Sequence, residues 1–183
     1  MKRRHFLRWG AGGLLLGGSG LVSSAAWMPD FSAIRLEATG LIARQWALIA
    51  AVQDHLLPSE NNAPGARDVN ATAWLQWVLS DPSVDDRQRR FFREGADELE
   101  ALSLKVHKAA FHTLSRMERE ALLRRYEARA GGHDWLRELL NYIMEALLTD
   151  PVYGGNPGQV GWKWLGHRPG YKRPPSDKRY FLL

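Results

Sequence analysis

The chain has 183 residues, a formal net charge of +5 and no cysteine. Without thiols it can form no disulfide, thiolate zinc site, cysteine-ligated iron–sulfur cluster or covalent haem attachment. The charge sits at the two ends, +4 in residues 1–26 and +5 in residues 163–183 around a body of −4. Nucleic-acid binding would call for a basic face on the folded domain, so no nucleic-acid partner is expected.

Residues 1–26 read as an export signal rather than as fold material. Lys2, Arg3, Arg4 and Arg8 form a basic start, a glycine-interrupted apolar stretch runs from Trp9 to Val22, and Ala25 or Ala26 offers a cleavage point. The longest uninterrupted leucine run is Leu14 to Leu16, well short of the ~20 apolar residues of a spanning helix. Arg3, Arg4, Phe6 and Leu7 closely resemble the twin-arginine translocation signal, although the usual basic residue near the cleavage site is missing. That signal implies the twin-arginine translocase, folded cargo and a periplasmic destination. Since this chain carries no cofactor motif, one explanation is export together with a partner that binds one.

Beyond the leader, 157 residues suit one domain. Apolar positions from Leu36 to Leu57 follow helical spacing, with Gly40 breaking the first turn and Pro58 ending the run. Ser59–Arg67 is turn-forming, and Asp68 or Asn70 can cap a short helix carrying Trp74, Leu75, Trp77 and Val78. Asp81 and Pro82 predict the start of a long charged helix to about Val106, with Phe91, Phe92, Leu99 and Leu102 inward. Ser115 and Glu118 form a capping-box pattern, and Gly131-Gly132 closes that helix. Asp134 is then expected to cap a helix that turns Trp135, Leu136, Leu139, Leu140, Ile143, Met144, Leu147 and Leu148 inward until Pro151. The prediction is an all-α single domain of about five helices over residues 27–166, with an ordered glycine- and aromatic-rich C-terminal loop and a basic tail over 167–183.

No catalytic constellation emerges. His107 and His112 are five apart, whereas a helix places two metal ligands on one face at three or four. His55, beside Asp54, and His133 at a helix start read as ordinary helix-end residues. Asp85-Asp86 and Asp97, Glu98 and Glu100 are mixed with arginine, as on a solvated helix face. The glycines from Gly154 to Gly161 lack the Gly-Lys-Ser/Thr ending of a phosphate loop and follow a helix instead of a strand. Catalytic, metal and cofactor residues are therefore expected to be none in this chain.

The distinctive segment is Asp150-Pro151-Val152-Tyr153-Gly154-Gly155-Asn156, followed by Gly161-Trp162-Lys163-Trp164. Pro151 stops a helix, the glycines permit close backbone approach, and Tyr153, Trp162 and Trp164 supply ring surface. Either the segment caps the domain's own core, or it is a docking surface formed by Pro151, Tyr153, Gly154, Gly155, Asn156, Trp162, Lys163 and Trp164.

Together with the twin-arginine leader, His55-Leu56-Leu57-Pro58 and Pro64-Gly65-Ala66-Arg67, this segment resembles the gluconate 2-dehydrogenase subunit 3 family. These are the small subunits of membrane-associated flavin-dependent sugar and sugar-acid dehydrogenases. The resemblance implies that FAD and substrate oxidation belong to a separate large subunit of the glucose-methanol-choline type. It also implies that a membrane-attached c-type cytochrome takes the electrons, and that the small subunit escorts the folded flavoprotein through export and supports its maturation. The complex would then lie in the periplasm, peripheral to the inner membrane. This chain departs after Trp164, continuing as the basic tail. Two rival readings are a small periplasmic enzyme using His55 or His167 with a nearby carboxylate, and a stand-alone envelope protein.

Overall fold

The computed structural model describes residues 36–168 and Gly170. The leader with Arg3, Arg4, Phe6 and Leu7, and the tail from Tyr171 onward, lie outside the described residues. Six α-helices occur among the described residues: α1 Ala43–Leu56, α2 Ala71–Ser80, α3 Asp86–His107, α4 Arg116–Glu127, α5 Gly132–Leu148 and the short α6 Val160–Trp164. They contain no strand, and one isolated bridge joins Glu60 to Ala63. The all-α prediction holds, with five substantial helices and α6 formed inside what reads as a loop.

Local chemistry sets the helix ends. Gly40, at φ +69°, separates a 3-10 turn at Leu36–Thr39 from α1. The first turn of α1 is closed by the Gln45 side chain, which accepts the Ile42 N–H at 2.9 Å. Ser115 makes the expected capping box: its Oγ accepts the Glu118 N–H, and Glu118 Oε2 accepts the Ser115 N–H at 2.8 Å.

Two starts differ from expectation. Asp81 does not begin the long helix; it ends α2 and turns the chain by accepting the Ser83 N–H, while Asp85 caps α3 by accepting the Arg87 N–H. Both aspartates can cap, and the corner chooses between them. Arg89 reaches back to the carbonyls of Leu79 and Asp81 at 2.9 and 2.6 Å, tying the end of α2 to the first turn of α3. Likewise, Asp134 is inside the first turn of α5 and pairs with Arg137 at 2.9 Å, because α5 already begins at Gly132 after Gly131 at φ +79°. A side chain at residue 132 would overlap the Tyr126 carbonyl, so the close α4–α5 connection requires glycine there.

The core runs through all five long helices, with Ile49, Val52, Leu75, Leu79, Phe92, Leu99, Leu139 and Ile143 fully buried. Burying one such side chain contributes about 1.5–3 kcal/mol before chain entropy is counted. Within it α3 and α5 approach closely at Gly95, where a Cβ would overlap the Trp135 indole of α5. Around it, the Tyr126 hydroxyl donates to the Gly95 carbonyl at 3.2 Å and Trp135 Nε1 donates to the Phe92 carbonyl at 3.4 Å. Tyr126 and Trp135 meet edge to face. Burial pushes the Tyr126 phenol well above its usual range, and it pushes that of Tyr142 up to about 12, with Glu145 and Glu138 adding to the effect.

The inward assignment of α5 is corrected. Leu140, Met144 and Leu148 point outward, while Trp135, Leu136, Leu139, Ile143 and Leu147 face the core. At 100° per residue, the eight apolar positions of this helix are too many for one face.

Candidate functional site

The glycine–aromatic segment folds onto the C-terminal end of α5 and the turn before α2. It comprises 3-10 turns at Pro151–Tyr153 and Pro157–Gln159, and then α6. A helix leaves its last carbonyls without intrahelical partners, and this segment supplies them. Trp162 Nε1 donates to the Leu148 carbonyl at 2.9 Å, and Asn156 Nδ2 donates to the Thr149 carbonyl at 3.1 Å. Asn156 Oδ1 accepts the Gly161 N–H at 2.7 Å, and the Asn156 N–H donates to the Val69 carbonyl at 3.3 Å. A fully buried asparagine therefore connects α5, α6 and the turn before α2.

Two glycines are demanded by contact. A Cβ at Gly161 would overlap the Leu147 carbonyl, and one at Gly155 would come within 2.8 Å of the Ala146 carbonyl. From the other side, Asn70 stands at the start of α2 in the left-handed conformation, φ +59°. It does not cap that helix with its side chain; Nδ2 donates to the Gly154 carbonyl at 3.2 Å. The expected alternative cap, Asp68, closes the preceding turn. It accepts the Ser59 hydroxyl at 2.6 Å and the Gly65 N–H at 2.7 Å, and these two bonds, the hydroxyl first, hold its carboxyl below the usual range. The Arg67–Asp54 ion pair and the Ala66 N–H donated to the Leu57 carbonyl fasten the same turn to α1.

The eight residues expected to dock a partner thus divide. Gly154, Gly155, Asn156 and Trp162 are buried in the domain itself, and Pro151 is half-buried. Tyr153, Lys163 and Trp164 are exposed. Trp164 faces an open hollow formed with Ser59–Ala63, and a second hollow lies between Leu148, Trp162, Leu165 and His167. The buried set caps the domain's own core, and Tyr153, Lys163 and Trp164 stay at the surface.

His55, His107 and His133 lie elsewhere. His55 Nε2 meets Glu120 Oε2 at 2.7 Å, His107 approaches Glu118 at 3.7 Å, and His133 pairs with Glu127 at 3.3 Å. Each pair ties α4 to a different helix. Glu120 is held below the usual carboxylate range first by His55 and then by Arg124; Glu118 is held down first by the Ser115 hydroxyl. A shallow hollow of about 330 Å³ opens over the His55–Glu120 pair, floored by Leu56, Leu123, Leu136 and Leu140. Its lining contains no hydroxyl or thiol nucleophile. His167 instead packs edge to face against Trp162. No group of three or more histidine or carboxylate side chains suited to a metal is found among the described residues, and no helix there is long and apolar enough to cross a membrane.

The fold and the capped loop define a small helical module whose characteristic motif builds structure and leaves an aromatic, cationic edge exposed. The model of the family described as Gluconate 2-dehydrogenase subunit 3 matches residues 43–170, from the start of α1 to the end of the described loop. The chain belongs to the gluconate 2-dehydrogenase subunit 3 family, an accessory subunit of the dehydrogenase complex. Comparisons with curated proteins and with solved structures returned no match.

Proposed function

We propose that this chain is the non-catalytic small subunit of a periplasmic, FAD-dependent sugar or sugar-acid dehydrogenase. It escorts the folded catalytic subunit through twin-arginine export and supports its maturation. FAD and substrate oxidation reside in a large subunit of the glucose-methanol-choline type, and a membrane-attached c-type cytochrome receives the electrons and keeps the complex at the inner membrane. Family membership over residues 43–170 is the observation that carries this reading. Arg3 and Arg4, with Phe6 and Leu7, supply the export address. Tyr153, Lys163 and Trp164, exposed on the segment that begins at Pro151, supply contact to the partner, while Gly154, Gly155, Asn156 and Trp162 hold that display in place.

The test is to co-express the pair with Arg3→Lys and Arg4→Lys combined and to locate the catalytic subunit by fractionation. Escort requires it to remain in the cytoplasm. A catalytic subunit that still reaches the periplasm would reject the escort role.

A further inference from the structure

We propose that the hollow between Trp164 and the turn at Ser59–Ala63 receives an arginine side chain of the catalytic subunit, its guanidinium laid on the indole face and paired with the Glu60 carboxylate. The inference rests on the accessory-subunit reading above and names the second wall of that contact and the chemistry it takes.

Each wall of the hollow is fastened to the domain separately from the side chains that line it. The Glu60 N–H donates to the Ala63 carbonyl at 3.0 Å and the Ala63 N–H donates back to the Glu60 carbonyl at 2.9 Å, so backbone alone closes the tip at Asn61-Asn62. At its base the Ser59 hydroxyl donates to Asp68 at 2.6 Å, and a Cβ at Gly65 would overlap the Ser59 backbone nitrogen. None of these bonds engages the side chains of Glu60, Asn61 or Asn62. Opposite them, Trp164 ends α6, which the Asn156 and Trp162 bonds hold against α5, and it remains 43% exposed. Walls set in advance leave little to be ordered on binding.

Charge selects the occupant. The lining of the hollow includes a carboxylate, two carboxamides and an indole, and no cation. Glu60 makes no ion pair among the described residues. The Asp68 carboxylate stands one hydrogen bond behind the wall at Ser59. From Asp54 to Asp68 the chain carries three carboxylates and one arginine, Arg67, whose charge Asp54 already matches. Lys163 precedes Trp164 but is outside the lining, and it pairs with no carboxylate among the described residues. An indole face also attracts cations, so ring and carboxylate favour the same sign. Exposed carboxylates such as Glu94 occur on α3 as well; what sets Glu60 apart is that an indole lines the same hollow. A guanidinium uses both groups, because its plane stacks on the ring while its edge donates to the carboxylate and to the Asn61 and Asn62 carboxamide oxygens. An ammonium has no plane to stack.

The experiment co-expresses the full chain with a tagged catalytic subunit and measures how much of the chain is retained on capture at low and high salt. Glu60→Gln is expected to lower retention about fivefold and to flatten its salt dependence. Trp164→Leu is expected to lower it about tenfold, with Trp164→Phe in between. Glu94→Gln, on α3, keeps the wild-type level. Glu60→Gln leaves every backbone bond of the turn in place, so the test stands even if Trp164→Leu fails to fold. Wild-type retention of Glu60→Gln at both salt concentrations would overturn the inference and leave the accessory reading intact, whereas failure of the wild-type chain to be retained would overturn the accessory reading and the inference with it. A loss with Glu94→Gln equal to that with Glu60→Gln would mean that charge acts at long range and the hollow is not the seat. Should retention be unchanged while glucose quenches fluorescence saturably in the wild type and not in Trp164→Leu, the hollow takes a saccharide and the inference is wrong.

Discussion

Asn156 Oδ1 accepts the Gly161 N–H at 2.7 Å, so one buried side chain holds α6 against the end of α5. Because its Nδ2 and backbone N–H are also engaged, its removal leaves several buried groups unpaired. Asn156→Ala is expected to cost about 2–4 kcal/mol, combining unsatisfied polar groups with a non-glycine residue lacking the asparagine side chain at φ +49°. Urea unfolding followed by tryptophan fluorescence measures it, and Trp164 should become more accessible to quencher.

The loop glycines separate contact from backbone strain. Gly161→Ala places a methyl group into the Leu147 carbonyl and is expected to cost about 1–3 kcal/mol or more. Gly158→Ala meets open space, but at φ +60° it still costs about 1–2 kcal/mol from the left-handed conformation. Adding a second residue tolerant of that conformation distinguishes the two effects: Gly158→Asn recovers most of the loss, and Gly161→Asn recovers none.

At the crossing of α3 and α5, Gly95→Ala is expected to displace the Trp135 indole and its bond to the Phe92 carbonyl, at a cost of about 3 kcal/mol. A companion Trp135→Phe substitution, which shortens the ring system, should restore part of the stability. Thermal melts of the single and double variants give the coupling.

Acid stability follows from two carboxyls. Asp68, lowered by Ser59 and Gly65, and Glu120, lowered by His55 and Arg124, both have folded-state values below their ordinary ones. Their stabilisation is therefore fully present above the ordinary carboxylate range and is lost as pH falls through the lowered values, over about pH 5 to 3. Asp68→Asn and Glu120→Gln should each be less stable than the wild type at pH 7, with a difference that shrinks towards pH 3. Both groups are exposed, so the effects are small, and a difference that persists undiminished at pH 3 would count against the linkage.

The helical class, the capping box at Ser115 and the punctuation at Gly40 and Pro58 were legible from residue order because they depend on neighbours three or four positions apart. The choice of Asp85 over Asp81 was not, since the Arg89 bonds that decide it come from the packed corner. Nor was the division of the C-terminal motif. Asn156 and Trp162 have the composition of a contact surface, and only the three-dimensional path shows that they satisfy the carbonyls of α5.

The sequence by itself determined the helical periodicity, the charge at the two ends, the absence of thiol chemistry and the motif that marks the family, all properties of composition or short spacing. Only the tertiary structure decided which apolar residues are core. Leu139 and Leu140 are adjacent and chemically identical, yet one is fully buried and the other 40% exposed. A rotation of 100° along α5, set by the helices packed against it, separates them.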